Sequence, residues 1–331
     1  MHTVAAPASS LAAFARPARR ASIARAGWFK REEAIMGTAI TVELWADDVV
    51  AGHSAIDAVM AEMHRIDRAM SPHKPDSELS RINRDAGRHA VLLSQEMFGL
   101  IEASLAFSAL SEGAFDISYA SAGQLYDYRR GVAPSSQQLA RARQAIGWRG
   151  LRLDRQAQTL AFAHPEMRID LGGFAKGHAV DNAVSILSRL GIAHAFVSAG
   201  GDSRVIGDKR GRPWTIGVRH PRDARALVAV LPLEDTAVST SGDYERFFDA
   251  GSTRHHHIID PATGCSPAAV HSVTILAADG LTAEALSKSL FVLGVERGMA
   301  LIESQPGVDA IVVDAQGRLH YSTGLQAPPG A

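Results

Sequence analysis

The chain of 331 residues contains one cysteine, Cys265. No intramolecular disulfide is therefore possible, and no Cys-x-x-Cys zinc pattern exists. A lone thiol among turn residues is expected to be inert. No stretch approaches the ~18 consecutive apolar residues that a membrane-spanning helix needs, and no apolar segment near the start suits a secretory signal. There is also no N-terminal cysteine for a lipid anchor, so the cytoplasm is the expected compartment. Strong charge of one sign is missing too: the formal net charge is −1, and the basic residues are scattered. That argues against a nucleic acid or a membrane surface held by bulk charge. A Gly-x-Ser-x-Gly elbow, a Gly-x-Gly-x-x-Gly fingerprint and a Walker loop are likewise lacking.

What is present is globular: 46% hydrophobic and 21% charged residues, with length for one large domain or two ordinary ones. Residues 1–30 are rich in Ala, Arg and Ser, lack periodicity and read as a disordered tail. Thr38–Trp45 alternates as a first strand. Residues 52–69, 94–112 and 136–146 read as helices, and 282–293 and 295–304 as two more. Short strands joined by Gly, Pro and Asp turns fill much of the remainder. Helices and strands do not alternate regularly, so an α+β fold with largely antiparallel sheets is expected instead of a doubly wound parallel one.

The most informative stretch is 167–190. Met167, Ile169 and Leu171 alternate with polar residues as a short strand. Gly172 and Gly173 break it, and Val180, Ala183, Val184, Leu187 and Leu190 follow at helical spacing. Asp170 ends the strand and Lys176 lies one turn into the helix. Two glycines admit a ligand close to the backbone, and a helix start suits an anion such as phosphate. A plain tight turn has the same pattern, so this stretch alone leaves both open. His255-His256-His257 can bind metal only through His255 and His257, since neighbours on a strand face opposite ways. An exposed His tract is the simpler alternative. Thr240-Ser241-Gly242-Asp243 and Ala199-Gly200-Gly201-Asp202 read as ordinary turns.

The ordered set says more than its parts. Met36-Gly37-Thr38 is followed by Ser71 and Pro75-Asp76-Ser77-Glu78-Leu79-Ser80-Arg81, then Gly113-Ala114-Phe115-Asp116. Asp170-Leu171-Gly172-Gly173-Phe174-Ala175-Lys176-Gly177, Ala199–Asp202 and Thr240–Tyr244 come next, then His257-Ile258-Ile259-Asp260-Pro261-Ala262-Thr263-Gly264, Ser272-Val273-Thr274 and the 283–294 helix. From residue 33 to 324 the chain resembles the ApbE family, the flavin-trafficking FAD:protein FMN transferases. The resemblance implies two mixed α+β subdomains with an FAD cleft between them. It implies Mg²⁺-assisted cleavage of the FAD pyrophosphate, release of AMP, and attachment of FMN through a phosphoester to Thr or Ser of an acceptor flavoprotein. FAD hydrolysis to FMN and AMP, or flavin carriage without turnover, are the alternatives.

Residue by residue, the resemblance places Met36, Ala114, Phe115, Asp116 and Asp170 at FAD-contacting positions and makes the Gly173 carbonyl a metal ligand; Ser287 is also expected at the FAD, and Lys176 is expected to bind the pyrophosphate and act catalytically by neutralising its charge. His257 stands in the family's His-x-x-Asp-Pro motif, where an imidazole suits a general base for the acceptor hydroxyl or a phosphate contact. Asp260 is expected to cap the turn that follows. Two positions depart from the pattern. His73 replaces an aromatic expected to stack on a ring. Glu284 and Lys288 replace an Asp and a Thr that ligate metal in the family, and a protonated lysine cannot ligate.

Overall fold

The computed structural model describes residues 25–326. One antiparallel sheet of eight strands runs through it. From edge to edge its strands are Gly27–Ile35, Thr38–Ala46, Ala195–Ala199, Asp202–Ile206, Ala237–Gly242, Val270–Ala277, Asp309–Asp314 and Leu319–Tyr321. The α+β class and the antiparallel pairing agree with the sequence. A separate three-stranded antiparallel sheet, in the order Val91–Leu92, Thr159–Phe162 and Leu151–Asp154, lies apart from it.

Among the described residues seven α-helices accompany it: α1 (Val49–Met70), α2 (Glu78–Asp85), α3 (Gln95–Leu110), α4 (Ala120–Gly123), α5 (Ser136–Arg143), α6 (Ala175–Arg189) and α7 (Gly280–Glu303). The main core joins α1, α3 and α6 to one face of the sheet through Ile40, Val42, Leu44, Val59, Met63, Ile101, Val180 and Leu187. A second core sits under α7, with Leu286, Leu290 and Phe291 against Val273, Ile275 and Val312. The hairpin Trp214–Arg219/Leu227–Leu233 shares a third core with Val205, Val238 and Ile311 of the sheet.

Three expectations change. The first strand begins at Gly27, inside the segment read as a tail. Four successive charges, Lys30 to Glu33, hide its alternation. Charges suit the exposed side of an edge strand, and Trp28 anchors it edge-on to Trp45 and Trp214 at 5.6 and 5.4 Å. Residues 1–24 lie outside the described residues. Second, Met167–Leu171 joins no sheet. The Asn83 side chain takes a partner strand's place, donating to the Ile169 carbonyl and accepting from its N–H, both at 2.8 Å. Third, the two late helices form one run broken at Gly294, where φ is 76°.

Helices α6 and α7 cross with almost no space between backbones. A Cβ on Gly177 would lie 2.3 Å from the Gly280 carbonyl oxygen. Asp181 of α6 accepts from the N–H groups of Gly280 and Leu281 at 2.8 and 2.9 Å, capping α7 from its neighbour. Gly177→Ala is expected to cost about 3 kcal/mol, the upper end for overpacking, because the obstacle is backbone. Urea unfolding measures it, and a midpoint equal to wild type would show that the crossing tolerates a methyl group.

Candidate active site

A cavity of about 810 Å³ opens beside the α6–α7 crossing, toward the upper end of the ~300–1,000 Å³ usual for small-molecule sites. Four segments far apart in sequence form it. The loop at Pro72–His73 and α2 supply one wall, Ala114–Ala120 and Tyr126 a second, Arg168–Gly173 a third, and Arg246 with His257–Ile259 a fourth; Lys288 and Val292 of α7 close it. Arg84, Arg88, Arg168, Arg246 and Lys288 line it against the carboxylates of Asp116 and Asp170. The excess of cations suits a polyanionic ligand.

Beneath one end lies a buried ionic cluster. The Lys176 ammonium donates to Asp202, and at 2.6 Å to Oε1 of Glu284. The other Glu284 oxygen accepts the Gly177 N–H at 2.8 Å. Burial pulls Lys176 down, but Asp202 and Glu284 outweigh it and hold the ammonium above the ordinary lysine range. Burial and then Asp202 raise Glu284, while Lys176 and Lys288 hold it down. A file of hydroxyls extends the cluster. Ser239 reaches Asp202, Ser287 lies 3.1 Å from Ser239 and 2.8 Å from Ser241, and the Lys288 ammonium donates to Ser241 at 2.7 Å. Burial lowers Lys288 below the usual lysine range; Glu284 works against it.

The His257 imidazole lines the cavity, and its Nδ1 is buried with no hydrogen-bond partner. Burial, then the Lys288 charge, push its pKa down to about 3. His255 stacks on Phe248 at 5.0 Å, and His256 bonds the Pro267 carbonyl at 2.9 Å. The three histidines therefore serve three surroundings. Among the described residues no cluster of three or more His, Cys, Asp or Glu side chains is arranged for a metal ion.

The profile of the ApbE family matches residues 36–312. The chain belongs to that family. It is 32% identical over 321 residues to the FAD:protein FMN transferase of Treponema pallidum, covering 91% of this chain and 89% of the relative. The Vibrio cholerae FAD:protein FMN transferase is 31% identical over 303 residues, 88% and 90% of the two chains. Among solved structures, the ApbE protein of Thermotoga maritima superposes with a TM-score of 0.84 at 32% identity, over 90% of this chain and 98% of that one. The flavin transferase ApbE from Vibrio cholerae gives 0.80 at 28%, with the same coverage.

The structure sorts the family positions. His73, Ala114, Phe115, Asp116, Asp170, Gly173, His257 and Lys288 all line the one cavity. Phe115 also packs on Phe174 at 5.4 Å. Asp116 is spent on the protein: one oxygen accepts from Ser118 N–H and Oγ, the other from Trp148 N–H at 2.7 Å. Met36, Lys176, Glu284 and Ser287 are not among the lining residues. Met36 sits in the two-residue turn before the second strand, with φ of 54°. Its neighbour Gly37 also has positive φ, as a tight hairpin turn requires. Lys176, expected to touch phosphate, faces two carboxylates instead. The α6 start, expected to hold an anion, already holds Glu284. Asp260 caps its turn as expected, accepting from Ala262 N–H at 2.9 Å and Thr263 Oγ1 at 3.0 Å. Thr240–Gly242 is buried strand, not a turn.

Asn83, Tyr119 and Arg246 belong to the site without having been singled out, and Ser241 was noted only as part of a turn motif. Tyr119 sits in a Tyr-rich loop, which was a usable signal. Asn83 lies beside Ile82 on a short helix, and nothing local marks it. The donor set does not fit a magnesium ion. Both Glu284 oxygens are engaged, and Lys288 brings an ammonium to the place of a ligand hydroxyl, its stem lying 3.5 Å from where a Gly173 Cβ would be.

The lowered pKa makes a testable statement. His257 titrates near 3 when folded and near 6.5 when unfolded, so the unfolded chain binds the extra proton first. Stability is expected to fall as pH drops from about 6.5 toward 3. In ligand-free protein the His257 ring resonances should stay unchanged between pH 8 and 5. A midpoint near 6.5 would show the ring open to water and free of the Lys288 field.

Proposed function

We propose that this protein is an FAD:protein FMN transferase: it takes FAD as substrate and attaches FMN to a Thr or Ser hydroxyl of an acceptor flavoprotein. One observation carries the reading. The His257 imidazole, the Gly172-Gly173 turn and the Lys288 ammonium, drawn from three distant segments, converge on one cation-rich cavity. That supplies a base, close backbone approach and positive charge at one place, which a displacement at phosphorus needs.

In this reading the acceptor hydroxyl oxygen attacks the phosphorus on the FMN side of the pyrophosphate. The bond from that phosphorus to the bridging oxygen breaks, and its electron pair leaves with AMP. The hydroxyl proton passes to the neutral His257 imidazole. Phosphoryl oxygens brought beside Lys288 and Arg246 offset the field that lowers the His257 pKa, so the base strengthens when substrate is in place. Tyr119, His73 and Phe115 offer ring surface for the flavin or adenine. Lys176 positions Glu284, and Asp116 shapes its loop. Gly173, Glu284 and Lys288 form no magnesium site by themselves, and no step is assigned to that ion.

Incubation with FAD and a threonine-bearing acceptor domain, followed by intact mass, tests this. The acceptor is expected to gain the mass of FMN. AMP without that gain indicates hydrolysis, and neither product indicates carriage. His257→Ala is expected to lower transfer by about 10²-fold or more while FAD affinity stays within about a decade. Equal transfer by the variant would remove His257 as the base.

A further inference from the structure

We propose that Lys288 is a built-in counter-ion for the pyrophosphate, so that this chain cleaves FAD without a divalent cation held by the protein. The proposal rests on the transferase reading above.

Position comes first. Lys288 is the α7 cation that lines the cavity, together with Asp170, Gly173, Arg246 and His257. Its stem lies along Gly173, with Cγ and Cε 3.5 and 3.6 Å from where a Cβ would stand. A Cβ at residue 173 would stand in ordinary van der Waals contact with that stem. Its ammonium donates to Ser241 at 2.7 Å, which leaves two of its three donors for a ligand. Ser241 is itself buried and held by Ser287 at 2.8 Å, so the ammonium is anchored on the sheet side and free toward the cavity.

Charge comes second. Asp202 and Glu284 are matched by Lys176 and Lys288. A divalent ion added here without FAD would bring two uncompensated positive charges into a buried cluster, at a desolvation cost of several kcal/mol. It would also have to displace Lys176 or the Gly177 N–H from Glu284. An FAD pyrophosphate in the cavity meets a cation already in place, with no such displacement.

The third observation is independent of the lysine. The buried His257 Nδ1 has no partner within the protein. The His257 ring itself lines the cavity that Lys288 enters, so a ligand there meets the imidazole as well as the ammonium. Negative charge develops at the phosphoryl group and on the departing AMP, and Lys288 neutralises it by donating N–H groups, a role that needs no change in its protonation. The atoms balance as in the transfer above: AMP carries the bond pair away, and His257 takes the proton.

The test uses full-length protein in EDTA and in Mg²⁺, comparing wild type with Lys288→Thr. Thermal melts and riboflavin binding serve as folding controls. Wild type is expected to release AMP in EDTA within about threefold of its rate in Mg²⁺. Lys288→Thr should lose about 10²-fold in EDTA and recover in Mg²⁺. Abolition of wild-type AMP release by EDTA, with rescue by Mg²⁺, would overturn the proposal. Fluorescence titration in EDTA decides separately. Lys288→Thr should weaken FAD at least tenfold and leave riboflavin unchanged, whereas equal FAD affinity overturns the role of Lys288. If no AMP appears under any condition, the transferase reading fails, and the titration still decides the counter-ion.

Discussion

The rest of the site depends on the way α6 and α7 share the Glu284 carboxylate. Glu284 is completely buried, and a buried carboxylate stays only where donors surround it. Here one oxygen meets the Lys176 ammonium and the other the Gly177 N–H. Gly177 also permits the helices to approach, since any side chain would strike the Gly280 backbone. The negative end of this contact sits at the positive start of α6, where the helix dipole favours it. Removing either partner would strand a buried charge, at about 3–5 kcal/mol. The pairing fixes the rotation of α7, and the next turn carries Lys288 to the cavity.

From that crossing the electrostatics of the cleft follow. The internal carboxylates are consumed by internal cations, while guanidiniums and one ammonium remain toward the opening. Burial first, and then the same positive field, keep His257 neutral. A neutral imidazole beside fixed cations is a resting base: it cannot bind a stray proton at neutral pH, and it becomes basic once an anion neutralises its surroundings. Substrate binding and activation of the base are then one electrostatic event.

Much of this was legible in the sequence because it is local. The Gly172-Gly173 break, the α6 periodicity, the Asp260 turn and the interruption at Gly294 each follow from residues adjacent in the chain. The ordered motifs located Asp170, Gly173 and His257, and the cavity brings these together. What escaped is non-local. Strand Gly27–Ile35 was hidden because its charged face is exposed and its anchor is Trp28 against a distant hairpin. Residues 167–171 looked like a strand, yet their partners are the Asn83 and Ser121 side chains and the Ile117 carbonyl. Lys176 looked like a phosphate ligand, because nothing near it in sequence announces that Asp202 and Glu284 will claim it. The serine file from Ser239 to Lys288 needs three elements aligned at once. The departures at Glu284 and Lys288 were visible in one dimension, but whether they clash with a metal ion depends on where Lys176 and Gly177 stand.

The central claim is that the cation facing the pyrophosphate belongs to the protein. A crystal structure with FAD in the presence of Mn²⁺, with anomalous data collected at the manganese edge, tests it most directly. The account predicts FAD in the cavity between α2, the Gly172-Gly173 turn and His257, the Lys288 ammonium within hydrogen-bond distance of a pyrophosphate oxygen, and no anomalous peak at Glu284. A manganese ion bound by the Glu284 carboxylate and the Gly173 carbonyl, with Lys288 turned away, would contradict it.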